Sequence, residues 1–304
     1  MFDKILLSNL MQYKTKGIDK IMKPMLKYRG GKSKELNNFI HHLNNQDYDV
    51  YYEPFLGGGA TYFSLEPRRA VINDINSKLI NFYVDARDNF QLLKEQLTEL
   101  EDVYNENQRQ YEELKRVNPE ERVPNSNEEL YYRLREQFNR PTGELLESTL
   151  YFFINKTAYS GMIRYNRNGD YNVPYGRYKN FNTELVSKEH YLLLQNTDIF
   201  NFDYSDIFNM ATPRDIMFLD PPYDCIFNDY GNLELEDGFN EREHRRLAED
   251  FRNLNTRALM VISKTQLTEE LYRGSIIDEY SKNYSVNIRN RFKNSAVHII
   301  VSNY

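Results

Sequence analysis

Val50-Tyr51-Tyr52-Glu53-Pro54-Phe55-Leu56-Gly57-Gly58-Gly59 is the stretch that decides the fold. An apolar strand near 50–55 runs into three consecutive glycines, and a helix from about Gly59 to Leu65 follows. Glycines between a strand and a helix permit positive φ and let a ligand approach the backbone at the carboxyl edge of a parallel sheet. Downstream, Ala70–Asn73 reads as a second strand and Ser77 to about Asp85 as a second helix. This β-turn-α-β-α run predicts a parallel sheet with crossover helices.

Residues 88–138 change character. They are rich in Glu, Gln and Asn, carry leucines at helical spacing and are broken by Asn118-Pro119 and Pro124, which predicts a mostly helical insertion. Residues 141–183, rich in Tyr, Asn, Arg and Gly, are predicted to be largely loop or short hairpin. The sheet pattern then returns. Thr197–Phe202, Ile216–Leu219 and Ala258–Ser263 read as strands, Arg242–Leu254 as an amphipathic helix, and Ile276–Tyr284 with Val297–Ser302 as an antiparallel closing pair. The expected organisation is one α/β domain, 1–87 plus 186–304, split by an insertion at 88–185.

The 304 residues are 40% hydrophobic and 28% charged, which suits a soluble globular protein. The one cysteine, Cys225, excludes an intramolecular disulfide framework and fits a reducing cytoplasm. No membrane span, secretory signal or zinc-type ligand spacing is visible, so no metal site is expected. The formal charge of −6 does not favour a nucleic-acid partner, but its distribution matters more than its sum. Lys156 to Lys179 holds five basic residues against Asp170, and Lys282 to Lys293 holds four with no acid. Together they could form one phosphate-facing surface, or be ordinary solvated surface. For the acidic segment at 95–136 a solvated helical face is the simplest reading.

Three motifs carry chemistry. Glu53-Pro54-Phe55-Leu56-Gly57-Gly58-Gly59 is followed, at the end of the next strand, by Asp74. A carboxylate there can accept both ribose hydroxyls of an adenosine moiety, and the glycine spacing departs from the dinucleotide pattern. Asp220-Pro221-Pro222-Tyr223 follows the apolar strand 216–219. An exocyclic base amine is a poor nucleophile unless acceptors hold its hydrogens. Asp220 offers a carboxylate and Pro221 a carbonyl, Pro222 helps to fix the backbone, and Tyr223 offers a stacking face for an extruded base. Lys27-Tyr28-Arg29-Gly30-Gly31-Lys32 could fold over the methionine end of a cofactor, with Lys32 near its carboxylate.

The sequence resembles the Dam-like, alpha-ordered family of DNA adenine N6-methyltransferases, which includes many type II modification enzymes. The resemblance runs in order through KYRGGK (27–32), EPFLGGG (53–59), NDINSKLINFY (73–83), FINKTAYSGMIRYNRNGDYNVPYGRYK (153–179) and LDPPY (219–223), and covers most of the chain from about 24 to 302. It implies a Rossmann-like methyltransferase sheet with an inserted, mostly helical target-recognition lobe. The implied methyl donor is S-adenosylmethionine. The implied substrate is double-stranded DNA methylated at adenine N6 in a short site such as GATC, and the type II members bring in a cognate restriction endonuclease as a partner.

Tyr28, Lys32, Asp74 and Asp220 fall on the family's cofactor-contacting positions, with Glu53, Phe55, Gly57 and Gly59 around them. Phe202-Asp203 matches more loosely the place that holds the cofactor's adenine. Arg164 falls on a guanine-reading position, a role its two donors suit. Tyr159, Met162 and Pro174 lie at neighbouring base-contact or intercalating positions, and Ser160, Asn172 and Arg177 complete the expected DNA-binding set. Ser160 stands where the Dam pattern has Asn, and Asp224-Cys225-Ile226-Phe227 lacks the Pro and Ser of Dam; the first 23 residues have no counterpart. The alternative is a catalytically silent or RNA-directed member of the same fold. The presence of both Asp220 and Tyr223 argues against it.

Overall fold

The computed structural model describes residues 21–44, 46–223, 239–282 and 296–304. Residues 1–20, Cys225 with the rest of 224–227, the acidic residues at 234–237, Tyr284, and the basic Arg289, Arg291 and Lys293 lie outside the described residues.

Seven strands build one sheet: β1 (Tyr51–Glu53), β2 (Ala70–Asn73), β3 (Thr197–Phe200), β4 (Ile216–Leu219), β5 (Arg257–Ser263), β6 (Ile276–Lys282) and β7 (Ala296–Ser302). Their spatial order is β3-β2-β1-β4-β5-β7-β6. The first five are parallel, and β7 runs antiparallel to both β5 and β6. Every residue of β2 and β4 is buried, as expected for strands covered on both faces. Edge strand β6 instead lies largely towards solvent and carries Asp278 and Glu279, charges that discourage pairing with another chain.

The helices are α1 (Leu36–Phe39), α2 (His41–Asn44), α3 (Ala60–Leu65), α4 (Ser77–Asp88), α5 (Phe90–Val117), α6 (Ser126–Asn139), α7 (Glu147–Thr157), α8 (Lys188–Leu194), α9 (Tyr204–Phe208), α10 (Glu241–Asn253) and α11 (Gln266–Leu271). Asn76 starts α4 by accepting from the Leu79 N–H at 3.0 Å. Helix α5 is long and acidic but buries Leu93, Leu97 and Tyr104 along one stripe, leaving the rest to solvent.

One element departs from expectation. Within the stretch predicted to be largely loop, α7 is a full helix whose residues from Ser148 to Thr157 are all buried. A helix surrounded by protein shows no polar face, so it has no 3.6-residue alternation to read. The rest of that stretch does form a narrow hairpin, bridged at Ala158–Tyr175 and Tyr165–Tyr171. Helix α7 joins the insertion to the sheet-bearing part: Phe152 stacks on Phe82 of α4 at 5.9 Å, and Phe153 meets Phe181 at 5.1 Å. The apolar core therefore runs continuously through both parts.

Candidate active site

The direction of chain crossover reverses between β1 and β4, which lie side by side with Tyr51 opposite Ile216. Such a switch point leaves a crevice at the carboxyl ends of the strands. Glu53 ends β1 and Asp220 follows β4, so the two motifs meet there although 167 positions separate them in sequence. One cavity is lined by Tyr28, Lys32, Glu53, Phe55, Gly57, Gly59, Asp74, Phe202, Asp203, Asp220, Pro221, Pro222 and Tyr223. These are all the residues expected to hold cofactor or to perform chemistry.

The glycine turn fits against Tyr28. Gly57 has φ +50°, and a Cβ on it would stand 2.9 Å from Tyr28 Cδ1; one on Gly58 would stand 2.9 Å from Tyr28 Cβ. Gly57 and Gly58 thus let an aromatic ring lie on the turn and close one side of the cavity, while Gly59 makes room for Phe63. Opposite, Asp74 orders the turn: its Oδ2 accepts from Gly57 N–H at 2.9 Å and its Oδ1 from Asn76 N–H at 2.9 Å. Asn73 ties the loops together, donating to the Pro54 and Phe202 carbonyls at 3.0 Å each and accepting from Phe202 N–H at 2.8 Å. This places Phe202, half exposed and stacked on Phe200, at the cavity edge. Asp203 caps α9 through Ser205 N–H at 3.0 Å and pairs with Arg246. Partial burial works to raise its carboxyl, but the Ser205 and Arg246 interactions outweigh that and hold it below the ordinary range.

Lys32 lies buried in the cavity wall. Only 2% exposed, its ammonium donates to Asp220 Oδ1 and to the Tyr223 hydroxyl. Burial pushes the Asp220 carboxyl up, and the Lys32 ammonium beside it works against that rise. Asp220 Oδ2 makes no hydrogen bond among the described residues and stays available. Glu53 is equally buried and accepts from the Tyr51 hydroxyl at 2.6 Å. Burial, with Asp220 adding to it, pushes its carboxyl up to about 8.

The residues expected to meet DNA gather on the hairpin of the insertion. Tyr159, Ser160, Arg164, Pro174 and Arg177 are exposed, whereas Met162 and Asn172 are half-buried. Tyr159 N–H donates to the Pro174 carbonyl at 2.9 Å, joining the two arms. Arg164 Nε donates to Asn172 Oδ1 at 2.8 Å, so Asn172 orients the guanidinium and leaves part of its fork outward. Ser160 and Arg177 adopt left-handed backbone, φ 56° and 54°, and Arg177 stands 3.5 Å from Glu128.

The profile of the D12 class N6 adenine-specific DNA methyltransferases matches residues 28–288. The chain belongs to that class. Type II methyltransferase M.CviBI of Paramecium bursaria Chlorella virus NC1A is 31% identical over 290 residues, covering 93% of this chain and 100% of that protein. Type II methyltransferase M1.LlaDCHI of Lactococcus lactis subsp. cremoris is 31% identical over 303 residues, covering 93% and 96%. The DNA adenine methylase of Salmonella typhi is 30% identical over 258 residues, covering 82% and 83%. The α/β sheet and the adenine-directed methyltransferase activity expected from the motifs therefore hold.

Several residues of this methyltransferase's site carry no local signal in sequence. Phe239 and Glu243 line the cavity from beyond the second motif. Arg246 fixes Asp203, and buried Glu35 and His298 cluster with half-buried Tyr280 and Lys282 next to Tyr223. Each comes from a distant segment, and no spacing rule connects them. Among the described residues no helix is long and apolar enough to cross a membrane.

Proposed function

We propose that this methyltransferase takes its methyl group from S-adenosylmethionine and transfers it to adenine N6 within a short duplex site, with GATC the first candidate. The observation that carries the reading is the convergence of Tyr28, the glycine turn, Asp74 and the Asp220–Tyr223 motif on one cavity. The cavity suits the donor. Its turn is free of side chains where Tyr28 closes over it, its Asp74 carboxylate lines the cavity where ribose hydroxyls would lie, and Phe202 supplies an aromatic edge.

When bound, the donor supplies an electrophilic methyl group. Asp220 Oδ2 and the Pro221 carbonyl accept the two amine hydrogens of the adenine, which drives lone-pair density onto nitrogen and aims it for direct displacement. Lys32, donating to Asp220 Oδ1, opposes the rise that burial imposes on that carboxyl and leaves Oδ2 facing the amine. Tyr223 gives the extruded base a surface, and dry surroundings strengthen each of these interactions. The proton leaves the product amine after transfer, with no covalent enzyme intermediate.

In this reading residues 88–185 form the target-recognition insertion. Arg164, oriented by Asn172, reads a guanine, and Tyr159, Ser160, Met162 and Pro174 contact or wedge neighbouring bases. Arg177 and the other basic residues of the hairpin meet phosphates. The type II names of two relatives extend the proposal to a restriction endonuclease that cuts the same site and is blocked by the methylation. The test is transfer of tritiated methyl from S-adenosylmethionine to unmethylated genomic DNA, followed by mapping of N6-methyladenine. Label confined to GATC is expected; label in another motif removes the GATC assignment, and no label with cofactor bound overturns the DNA reading.

A further inference from the structure

Glu35 sits one residue beyond the 3-10 turn Lys32–Lys34 and is 4% exposed. Its Oε2 accepts from the Tyr280 hydroxyl at 2.8 Å and lies 2.9 Å from His298 Nδ1, while Oε1 lies 2.5 Å from Lys282 Nζ. His298 is fully buried, and its ring stands 5.0 Å from the Tyr223 ring, tilted by 56°. Tyr280 packs on the other partner of the cluster, its ring 5.4 Å from His298 at 71°. Tyr223 in turn accepts from Lys32, whose ammonium also holds Asp220. A continuous chain of contacts thus runs from β6 and β7, through Glu35 and His298, to the aromatic and acidic residues of the second motif.

Stability alone is a poor reason for this arrangement. Burying a carboxylate costs several kcal/mol before its partners offset it, and an apolar group of similar volume often serves packing as well. Burial works against the Glu35 charge, but the His298 and Lys282 bonds outweigh it and bring the carboxyl down to about 2, so Glu35 is ionised throughout the working range. An ionised acceptor on Nδ1 fixes which ring nitrogen carries the proton and how the imidazole is turned. His298 Nε2 has no partner among the described residues, so Glu35 and the Tyr280 hydroxyl are the polar groups that orient the ring.

We propose that Glu35 and His298 are a positioning pair for methyl transfer: Glu35 orients the His298 ring, and that ring sets the pose of Tyr223 and through it the Lys32–Asp220 pair. The inference rests on the proposed roles of Asp220 and Tyr223. The test uses the full chain with Glu35→Gln, His298→Phe and Asp220→Ala, measuring kcat on unmethylated plasmid DNA, direct S-adenosylmethionine affinity, and thermal unfolding.

Glu35→Gln and His298→Phe are expected to lower kcat roughly ten- to a hundredfold while cofactor affinity stays within about twofold and melting stays cooperative. The inference is overturned if either variant melts cooperatively yet keeps kcat within about threefold of the parent. It is also overturned if the loss tracks cofactor affinity, or if neither variant folds, since the cluster would then be structural. Activity surviving in Asp220→Ala would sink the underlying reading of the motif. Activity lost there but intact in the other two would sink this inference alone.

Discussion

The Gly57-Gly58-Gly59 turn and the Tyr28 ring cannot be changed independently. A Cβ on Gly58 would stand 2.9 Å from Tyr28 Cβ. Carbon atoms in contact sit at about 3.5–4.0 Å, so Tyr28 would have to retreat by roughly 0.6–1 Å. Ring rotation gives no relief, because the clash is with an atom fixed to the main chain. Gly58 is not in the left-handed region, so Gly58→Ala tests the clash alone. Overpacking of this kind costs about 1–3 kcal/mol, and if the distortion is felt at the cofactor wall, S-adenosylmethionine binds roughly ten- to a hundredfold more weakly.

Gly57→Ala adds about 1–2 kcal/mol of left-handed strain to its own 2.9 Å contact with Tyr28 Cδ1. Gly143, with φ +82° and nothing within 4 Å, supplies the control that carries strain without a clash. Gly143→Ala is expected to lower the melting temperature by about 2–4 °C and leave cofactor affinity unchanged. Calorimetric titration of S-adenosylmethionine and thermal unfolding of the three variants check this. Parent-like affinity in Gly58→Ala would refute the argument that Tyr28 on the glycine turn forms the cofactor wall.

The remaining predictions use separate readouts. Asp220→Ala should reduce kcat by at least about 10²–10³ with cooperative melting retained; substantial residual turnover removes Asp220 from the chemistry. Arg164→Ala should cost about 1–3 kcal/mol at one guanine and relax specificity there, measured as methylation rates across single-base variants of the mapped site; uniform weakening would make Arg164 a phosphate contact. Glu53 holds its proton to about 8 in the folded chain against 4.5 when unfolded, so its contribution to stability is full below pH 4.5 and is lost as pH rises towards 8. Denaturant unfolding of Glu53→Gln should show a flatter profile across that window, and an unchanged slope contradicts the assignment. Glu35 acts with the opposite sign, its carboxyl held at about 2, so its contribution is present above pH 4.5 and lost on acidification; Glu35→Gln should remove that acid-side loss.

What was legible in the sequence follows from range. Strands β2 and β4 occupy the positions their unbroken apolar runs indicate, because burial on both faces leaves one local pattern to read. The two motifs share a cavity because each ends a parallel strand, and β1 and β4 are neighbours at the switch point. Helix α7 hid for the converse reason, since complete burial erased the alternation that reveals a helix. The partners of Lys32 were out of reach for another. Read alone, a lysine after a Gly pair is a basic turn that suits the carboxylate of a cofactor. In the fold it meets Asp220, 188 positions away, and the residue that completes its surroundings, Glu35, meets Tyr280 across 245 positions. Local spacing says nothing of such pairs. They are set by which strands the sheet places side by side, and β7, inserted between β5 and β6, is the strand that carries His298 to Tyr223. The antiparallel end of the sheet therefore does more than close an edge: it delivers the imidazole that backs the motif at the end of β4.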